Sequence, residues 1–133
     1  MKEIEVCAAV IIKDKKILLT QRGYGEYKDK REFPGGKIEK DESKEEAIKR
    51  EIKEELDASI KIDNFLCNVE YDYTTFYLKM SVFCVSLEDE HIIFKEHESY
   101  KWISFNDLDD VKKIDLLPAD NLVIPYLKSI LKN

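Results

Sequence analysis

The chain has 133 residues, 44% of them hydrophobic and 38% charged, with 28 acidic against 22 basic side chains and a formal net charge of −6. That size and mixture suit one globular domain spanning residues 1–133 and exclude a disordered chain. No apolar run approaches the ~18–20 residues of a membrane-spanning helix, and the acidic balance speaks against a stable nucleic-acid complex, which needs a basic face.

The first sixteen residues, MKEIEVCAAVIIKDKK, set charges close around their apolar run, unlike the h-region of a secretory signal, so a cytoplasmic protein is expected. Within that stretch, residues 4–14 form a β-branched run long enough for a strand, KDKK makes a turn, and ILLTQR (17–22) reads as its hairpin partner. GYGEYKDKRE is a polar loop. FPGGK reads as a turn, because Pro34 biases Phe33 to extended geometry while Gly35 and Gly36 permit positive φ. The helix that follows announces its start through Ser43 and Glu46, spaced as a capping box, and runs to about Leu56. Ile48, Ile52 and Leu56 recur every four residues and define its core stripe, with Ala47 at the margin.

Residues 59–73 and 76–87 read as a long antiparallel pair turning near Thr74 and Thr75, with Phe76, Leu78, Met80, Val82 and Cys84 on one face of the second. EDEHIIFKEHESYK offers a further short strand and a polar loop, and WISF a last strand. SFNDLDD looks like one helical turn. ADNLVIPYLKSILK reads as a C-terminal helix, with Pro125 near or inside its first turns. Cys7, Cys67 and Cys84 have no metal-type spacing and fall in strand-like runs, as buried reduced thiols do. His91 and His97 have no motif partner and are expected on the surface. Interleaved strands and helices with mostly hairpin-linked strands predict an α/β (α+β) fold, a central mixed sheet with helices on both faces.

On the predicted helix, Glu51, Glu54 and Glu55 share one flank, at about 100° per residue, and Glu42 can fold back toward them. Like charges at that spacing repel. Arg50 lies at the flank's edge, four residues from both Glu46 and Glu54, and such a pair contributes only roughly 0.2–0.5 kcal/mol. Carboxylates at i, i+3 and i+4, with a carbonyl from the adjacent Gly-Gly turn, can present a half-site for a hard divalent cation. A solvated charged face is the alternative that spacing alone leaves open.

The larger pattern is more specific. Gly36, five residues, Glu42, seven residues, then Arg50-Glu51-Ile52-Lys53-Glu54-Glu55 resembles the Nudix box. Asp57 stands where that signature has its second Gly, and Ala58 replaces the final aliphatic residue. Asp tolerates a left-handed helix exit better than most residues, so the departure concerns the helix end. The resemblance extends through AAVIIKDKKILLTQR, REFPGGKIE, HESYKWISFNDL and LLPADNLVIPYL to the MutT-type branch of the Nudix hydrolases, and covers nearly the whole chain.

The resemblance implies an α/β/α sandwich and hydrolysis of nucleoside triphosphates to the monophosphate and pyrophosphate, with Mg²⁺ or Mn²⁺. It implies metal ligation by Glu54, Glu55 and the Gly35 carbonyl, with Glu51 as a further ligand or as the base. Arg50 would orient the glutamates, and Glu42 would be an outer-shell or second-metal ligand. Glu96 would share metal or base work from a loop, Arg22 would meet the substrate phosphates, and Gly36 would line the substrate side. Asp120 falls where this branch places a base-reading residue; ionised, it would favour an amino donor such as cytosine N4, and protonated it would reopen guanine. Pro118-Ala119-Asp120 resembles the form acting on CTP, dCTP and modified pyrimidine nucleotides, with 8-oxo-dGTP sanitation close behind. Tyr71, Tyr73, Tyr77 and Phe83 could supply a stacking surface. A nucleoside-diphosphate-X hydrolase and a catalytically silent nucleotide-binding module are the other readings, and monomer and homodimer are equally open.

Overall fold

The computed structural model describes residues 1–23, 25–94, 99–110 and 114–131. Strand β1 (Glu3–Lys13) is the spine of a seven-stranded mixed sheet that also contains β2 (Lys16–Gln21), β3 (Arg31–Glu32), β4 (Gly35–Lys37), β5 (Ile60–Asp72), β6 (Tyr77–Leu87) and β7 (Ser99–Ser104). β1 and β2 form the expected hairpin, pairing Ile12 with Ile17 across Asp14 and Lys15. Both turn residues have positive φ, 51° and 60°, the twist that suits a two-residue hairpin turn. β1 then runs parallel to β6 from the Glu3–Tyr77 pair to the Ile11–Val85 pair, and β5 joins β6 antiparallel. The parallel pairing makes the sheet mixed.

Three expectations need correction. FPGGK is not only a turn: Gly35–Lys37 is a short strand, antiparallel to β1 with Gly35 opposite Ala8. A Cβ on Gly35 would stand 2.1 Å from the Cys7 carbonyl oxygen, so only glycine allows that approach. WISF is the end of a longer strand starting at Ser99, and among the described residues no separate strand precedes it after β6. The C-terminal helix is two helices, α2 (Pro118–Asn121) and α3 (Ile124–Ile130), broken at residues 122–123. Pro125 explains the break, since it has no N–H and belongs in a first helical turn rather than an interior.

Helix α1 (Lys44–Leu56) buries Ala47, Ile48, Ile52 and Leu56 against Cys7, Ala9, Ile11, Phe83 and Val85. The alternate residues of the same strands, Ala8, Val10, Met80, Val82 and Cys84, pack on the other face against Ala119, Val123 and Leu127 of the C-terminal segment. Period-two alternation thus gives one sheet two cores and makes an α/β/α sandwich. All three cysteines are buried and free, as expected. No helix of the described residues is long and apolar enough to cross a membrane.

Candidate active site

α1 begins with the anticipated capping box. Ser43 Oγ accepts from the Glu46 N–H and Glu46 Oε1 accepts from the Ser43 N–H, both at 3.0 Å. Glu46 is thereby committed to the cap, and the expected Arg50–Glu46 pair does not form. Arg50 instead sits at the centre of the carboxylates rather than at their edge. Its Nε and Nη2 donate to the two oxygens of Glu42 at 2.7 and 3.0 Å. Its Nη1 donates to Glu51 at 2.8 Å and Glu54 at 3.2 Å, with Glu39 at 3.7 Å, and Nη2 also reaches the Lys37 carbonyl. The planar five-donor guanidinium is what makes this possible; an ammonium could not bridge so many acceptors in one plane. The Arg50 hydrogen bond holds the Glu42 carboxyl below its usual range, helped by the Glu39 N–H.

Gly36 belongs to the same assembly. A Cβ there would stand 2.4 Å from the Glu51 carboxylate, so the missing side chain is the room that carboxylate occupies. Cys7 Sγ lies 3.5 Å from the Gly36 carbonyl, and burial pushes its thiol up to about 11, which keeps it an unreactive filler at neutral pH. Glu55 is half-buried one turn beyond Glu51. Among the described residues no three acidic, histidine or cysteine side chains converge as a formed metal centre, and Glu51 and Glu54 are turned toward Arg50. The donor set itself is all oxygen and anionic, which suits a hard divalent cation. Glu96 and His97 lie outside the described residues.

On the sheet's other face a cavity of about 280 Å³ runs from Gly35 and Gly36 to Asp120, walled by Tyr27, Phe33, Tyr73, Phe76, Leu78 and Met80. Arg22, just past the end of β2, points into it and donates from Nε to Glu32 at 3.0 Å. Asp120 arrives from α2 because residues 114–117 are stitched to β3: the Arg31 N–H donates to the Asp115 carbonyl, and the Leu117 N–H to the Arg31 carbonyl. Its Oδ2 accepts from the Phe33 N–H at 2.8 Å. The residue is buried, and that desolvation, with the Glu32 charge beside it, pushes its carboxyl up to about 8 against the lesser opposing pull of the Phe33 N–H and of Arg22. At neutral pH Asp120 is therefore mostly a neutral acid, one donor and one acceptor, rather than the acceptor-only carboxylate of the simpler reading.

A NUDIX domain model matches residues 1–127. The chain belongs to the NUDIX family. It is 32% identical over 132 residues to the CTP pyrophosphohydrolase of Escherichia coli (strain K12), covering 98% of this chain and 93% of that one. It is 34% identical to the 8-oxo-dGTP diphosphatase of Buchnera aphidicola subsp. Schizaphis graminum (strain Sg), over 98% of each chain. The crystal structure of the MutT protein from Methanosarcina mazei Go1 matches it with a TM-score of 0.83 over 99% of this chain and 97% of that one, a likeness of fold at 23% identity. This is a pyrophosphohydrolase, of a family that generally uses divalent metal ions.

Where the Nudix box has its second glycine, Asp57 caps α1 at φ 50° and ψ 33°, the left-handed exit that its small polar side chain tolerates. The substitution also gains a contact that sequence reading missed: His91 Nε2 lies 2.9 Å from Asp57 Oδ2, so His91 is not without a partner. Lys53 Nζ stands 3.3 Å from the other oxygen, and the Ile93 N–H donates to the Leu56 carbonyl, so residues 91–93 close over the helix end.

Of the aromatic candidates, Tyr73 lines the Nudix cavity and Tyr71 packs on it, but Tyr77 and Phe83 do not contribute. Phe83 is on the α1 face against Phe65, because strand alternation turns it away from the cavity. Three residues not anticipated do take part: Glu32, between Arg22 and Asp120, and Tyr27 and Phe76, which flank Tyr73. The signal for Glu32 was available in REFPGGK, since Phe33 is fixed beside the cavity by β4. Tyr27 lies in a turn with no periodicity to read, whereas alternation places Phe76 on the face of Leu78 and Met80, as core packing, and it lines the cavity beside them.

Proposed function

We propose that the domain formed by residues 1–133 hydrolyses nucleoside triphosphates to the monophosphate and pyrophosphate with Mg²⁺, selecting nucleotides whose base edge sets a donor beside an acceptor. One observation carries this reading: a single cavity whose lining runs from the neutral acid Asp120 to Gly36, behind which Glu51 stands. A base at the Asp120 end would leave its phosphate chain at the carboxylate end of the cavity.

Glu51, Glu54 and Glu55, with the Gly35 carbonyl and Glu42 around them, would hold Mg²⁺ or Mn²⁺, and the bound ion supplies positive charge to the phosphate oxygens and acidity to water. Glu51 or Glu96 accepts the proton of the attacking water. Arg50 positions Glu42, Glu51 and Glu54. Arg22 meets the phosphates with a charge-assisted contact, and Gly36 leaves the substrate room to approach β4.

For the base, a neutral carboxyl gives one hydrogen and takes one. Cytosine offers its N4 donor beside N3, and 8-oxoguanine its N7–H beside O6. Guanine has two acceptors, N7 and O6, on that same Hoogsteen edge, and discrimination against it requires that purines present this edge rather than the N1–H and O6 of the Watson–Crick edge. The same carboxyl thus supports both activities named for the relatives, with cytosine or modified pyrimidine nucleotides first and 8-oxo-dGTP second. The experiment is pyrophosphate release with Mg²⁺ over natural, oxidised and methylated (d)NTPs; dATP is included because adenine carries the same donor–acceptor pair. Preference for cytosine nucleotides and 8-oxo-dGTP over dGTP is the expected result, with Glu55→Gln lowering every rate by about 10² or more. Equal rates on all bases sink the base assignment, and unchanged hydrolysis in Glu55→Gln sinks the metal assignment.

A further inference from the structure

Asp120 sits on α2, a helix of only four residues whose N-cap, Leu117, makes no side-chain capping bond. The first N–H groups of any helix lack intrahelical partners, and Ala119, one residue before Asp120, is fully buried. A buried N–H left unpaired is strongly unfavourable, so something must accept from it. That acceptor is the hydroxyl of Tyr73, 46 residues earlier, at 3.0 Å.

Tyr73 is itself held from several sides. Its N–H donates to the Phe76 carbonyl across the β5–β6 turn. Its ring stacks on Phe76 at 5.2 Å with 21° between planes, leans on Tyr71 at 4.7 Å and takes the Tyr27 ring edge-on at 5.6 Å. Such offset and edge contacts fix the ring and hence the hydroxyl. Burial pushes the phenol up to about 12, so it keeps its proton throughout the working range and accepts through a lone pair. One residue further on, Asp120 is tied to Phe33.

We propose that Tyr73 is a specificity-positioning residue: its hydroxyl stands in for the missing cap of α2, fixes the turn that carries Asp120, and thereby sets which base edges Asp120 pairs with. This rests on the reading that Asp120 faces the base. The hydroxyl does this work; the ring supplies the wall.

The test is kcat/KM for CTP and for 8-oxo-dGTP, with Mg²⁺, in the wild type, Tyr73→Phe, Asp120→Asn and the double variant. Tyr73→Phe keeps the ring stack and removes only the hydroxyl. It is expected to change the CTP to 8-oxo-dGTP ratio by about five-fold or more, the effect of one lost hydrogen bond, and to leave the ratio unmoved when added to Asp120→Asn. Amide exchange at Ala119 is expected to accelerate in Tyr73→Phe while β1 amides keep their protection. A ratio within about two-fold of wild type in Tyr73→Phe overturns the proposal, as does an equal shift in both backgrounds, which would mean that Tyr73 meets the base itself. Equal loss on both substrates with a lowered melting temperature assigns Tyr73 a structural role only and also overturns it. If Asp120→Asn alone leaves the ratio unchanged, the reading of Asp120 fails first, and the proposal falls with it.

Discussion

Arg50 and Glu42 meet through two parallel hydrogen bonds of 2.7 and 3.0 Å, although they stand eight positions apart with a helix start between them. The same guanidinium also reaches Glu51 and Glu54, so the crowded carboxylates of α1 are arranged around a cation the chain already carries. Arg50→Lys keeps the charge but cannot fork. Turnover with saturating Mg²⁺ should fall by about 10²-fold, the scale expected when catalytic groups shift by an ångström. The near-ultraviolet circular dichroism should stay that of the wild type. A variant with unaltered kcat would show that the fork has no positioning role.

The two glycines of β4 should respond differently to alanine. In Gly36→Ala the new methyl meets the mobile end of Glu51, so the fold survives while activity drops by about 10²-fold as that carboxylate is displaced. In Gly35→Ala it meets the Cys7 carbonyl at 2.1 Å, which is backbone and cannot swing away. Loss of stability on the order of 3 kcal/mol or more is expected there, read from urea unfolding. The reverse pattern would contradict the placement of Glu51 behind Gly36.

Asp120 gives stability a pH dependence of definite sign. Its carboxyl titrates near 8 in the folded chain against an ordinary value of 3.8. Between those values the unfolded chain has released the proton and the folded chain has kept it. Stability present below pH 4 is therefore lost progressively as pH rises to about 8, and changes no further from this group above that. Asp120→Asn retains an acceptor for the Phe33 N–H and removes the titration. Its urea midpoint should fall less than that of the wild type between pH 5 and 8. Wild-type kcat/KM should decline above pH 8 as the Asp120 carboxyl ionises, and that decline should be absent in the variant.

Asp57 behaves in the opposite sense. The His91 contact, then Lys53, holds its carboxyl below the usual range, so its contribution is present above pH 4 and disappears as pH falls through the lowered value. Asp57→Gly restores the glycine of the signature and eases the left-handed cap, but removes the His91 contact from the end of α1. Its thermal midpoint should become less sensitive to pH between 3 and 5, with kcat near pH 7 within about three-fold of wild type. A large loss of kcat would place the Asp57–His91 contact within the catalytic arrangement.

What could be read from the sequence was what the chain determines locally. The capping box, the Ile48–Ile52–Leu56 stripe and the spacing from Gly36 to Glu55 all lie within one helix or beside it, and they led to the family and the fold. The partners of Arg50 were harder, because the i−4 rule names Glu46 and the cap had already claimed it. Gly35–Lys37 became a strand through pairing with β1, twenty-nine residues away, which no local pattern encodes. The contacts of His91 with Asp57 and of Tyr73 with Ala119 are likewise long-range, and the neutral state of Asp120 follows from burial that only packing creates.

The period-two alternation that gives the sheet two cores also divides inheritance. The carboxylate helix is anchored through Cys7, Ala9 and Ile11, and Asp120 through neighbours of Ala8 and Val10, so the two halves of the chemistry share strands but few side-chain contacts. Substitutions on one side should combine almost additively with those on the other. On the proposed function, the base accepted can then change through α2 and the turns around Tyr27 and Phe76 without disturbing the carboxylates proposed to act on the phosphate chain.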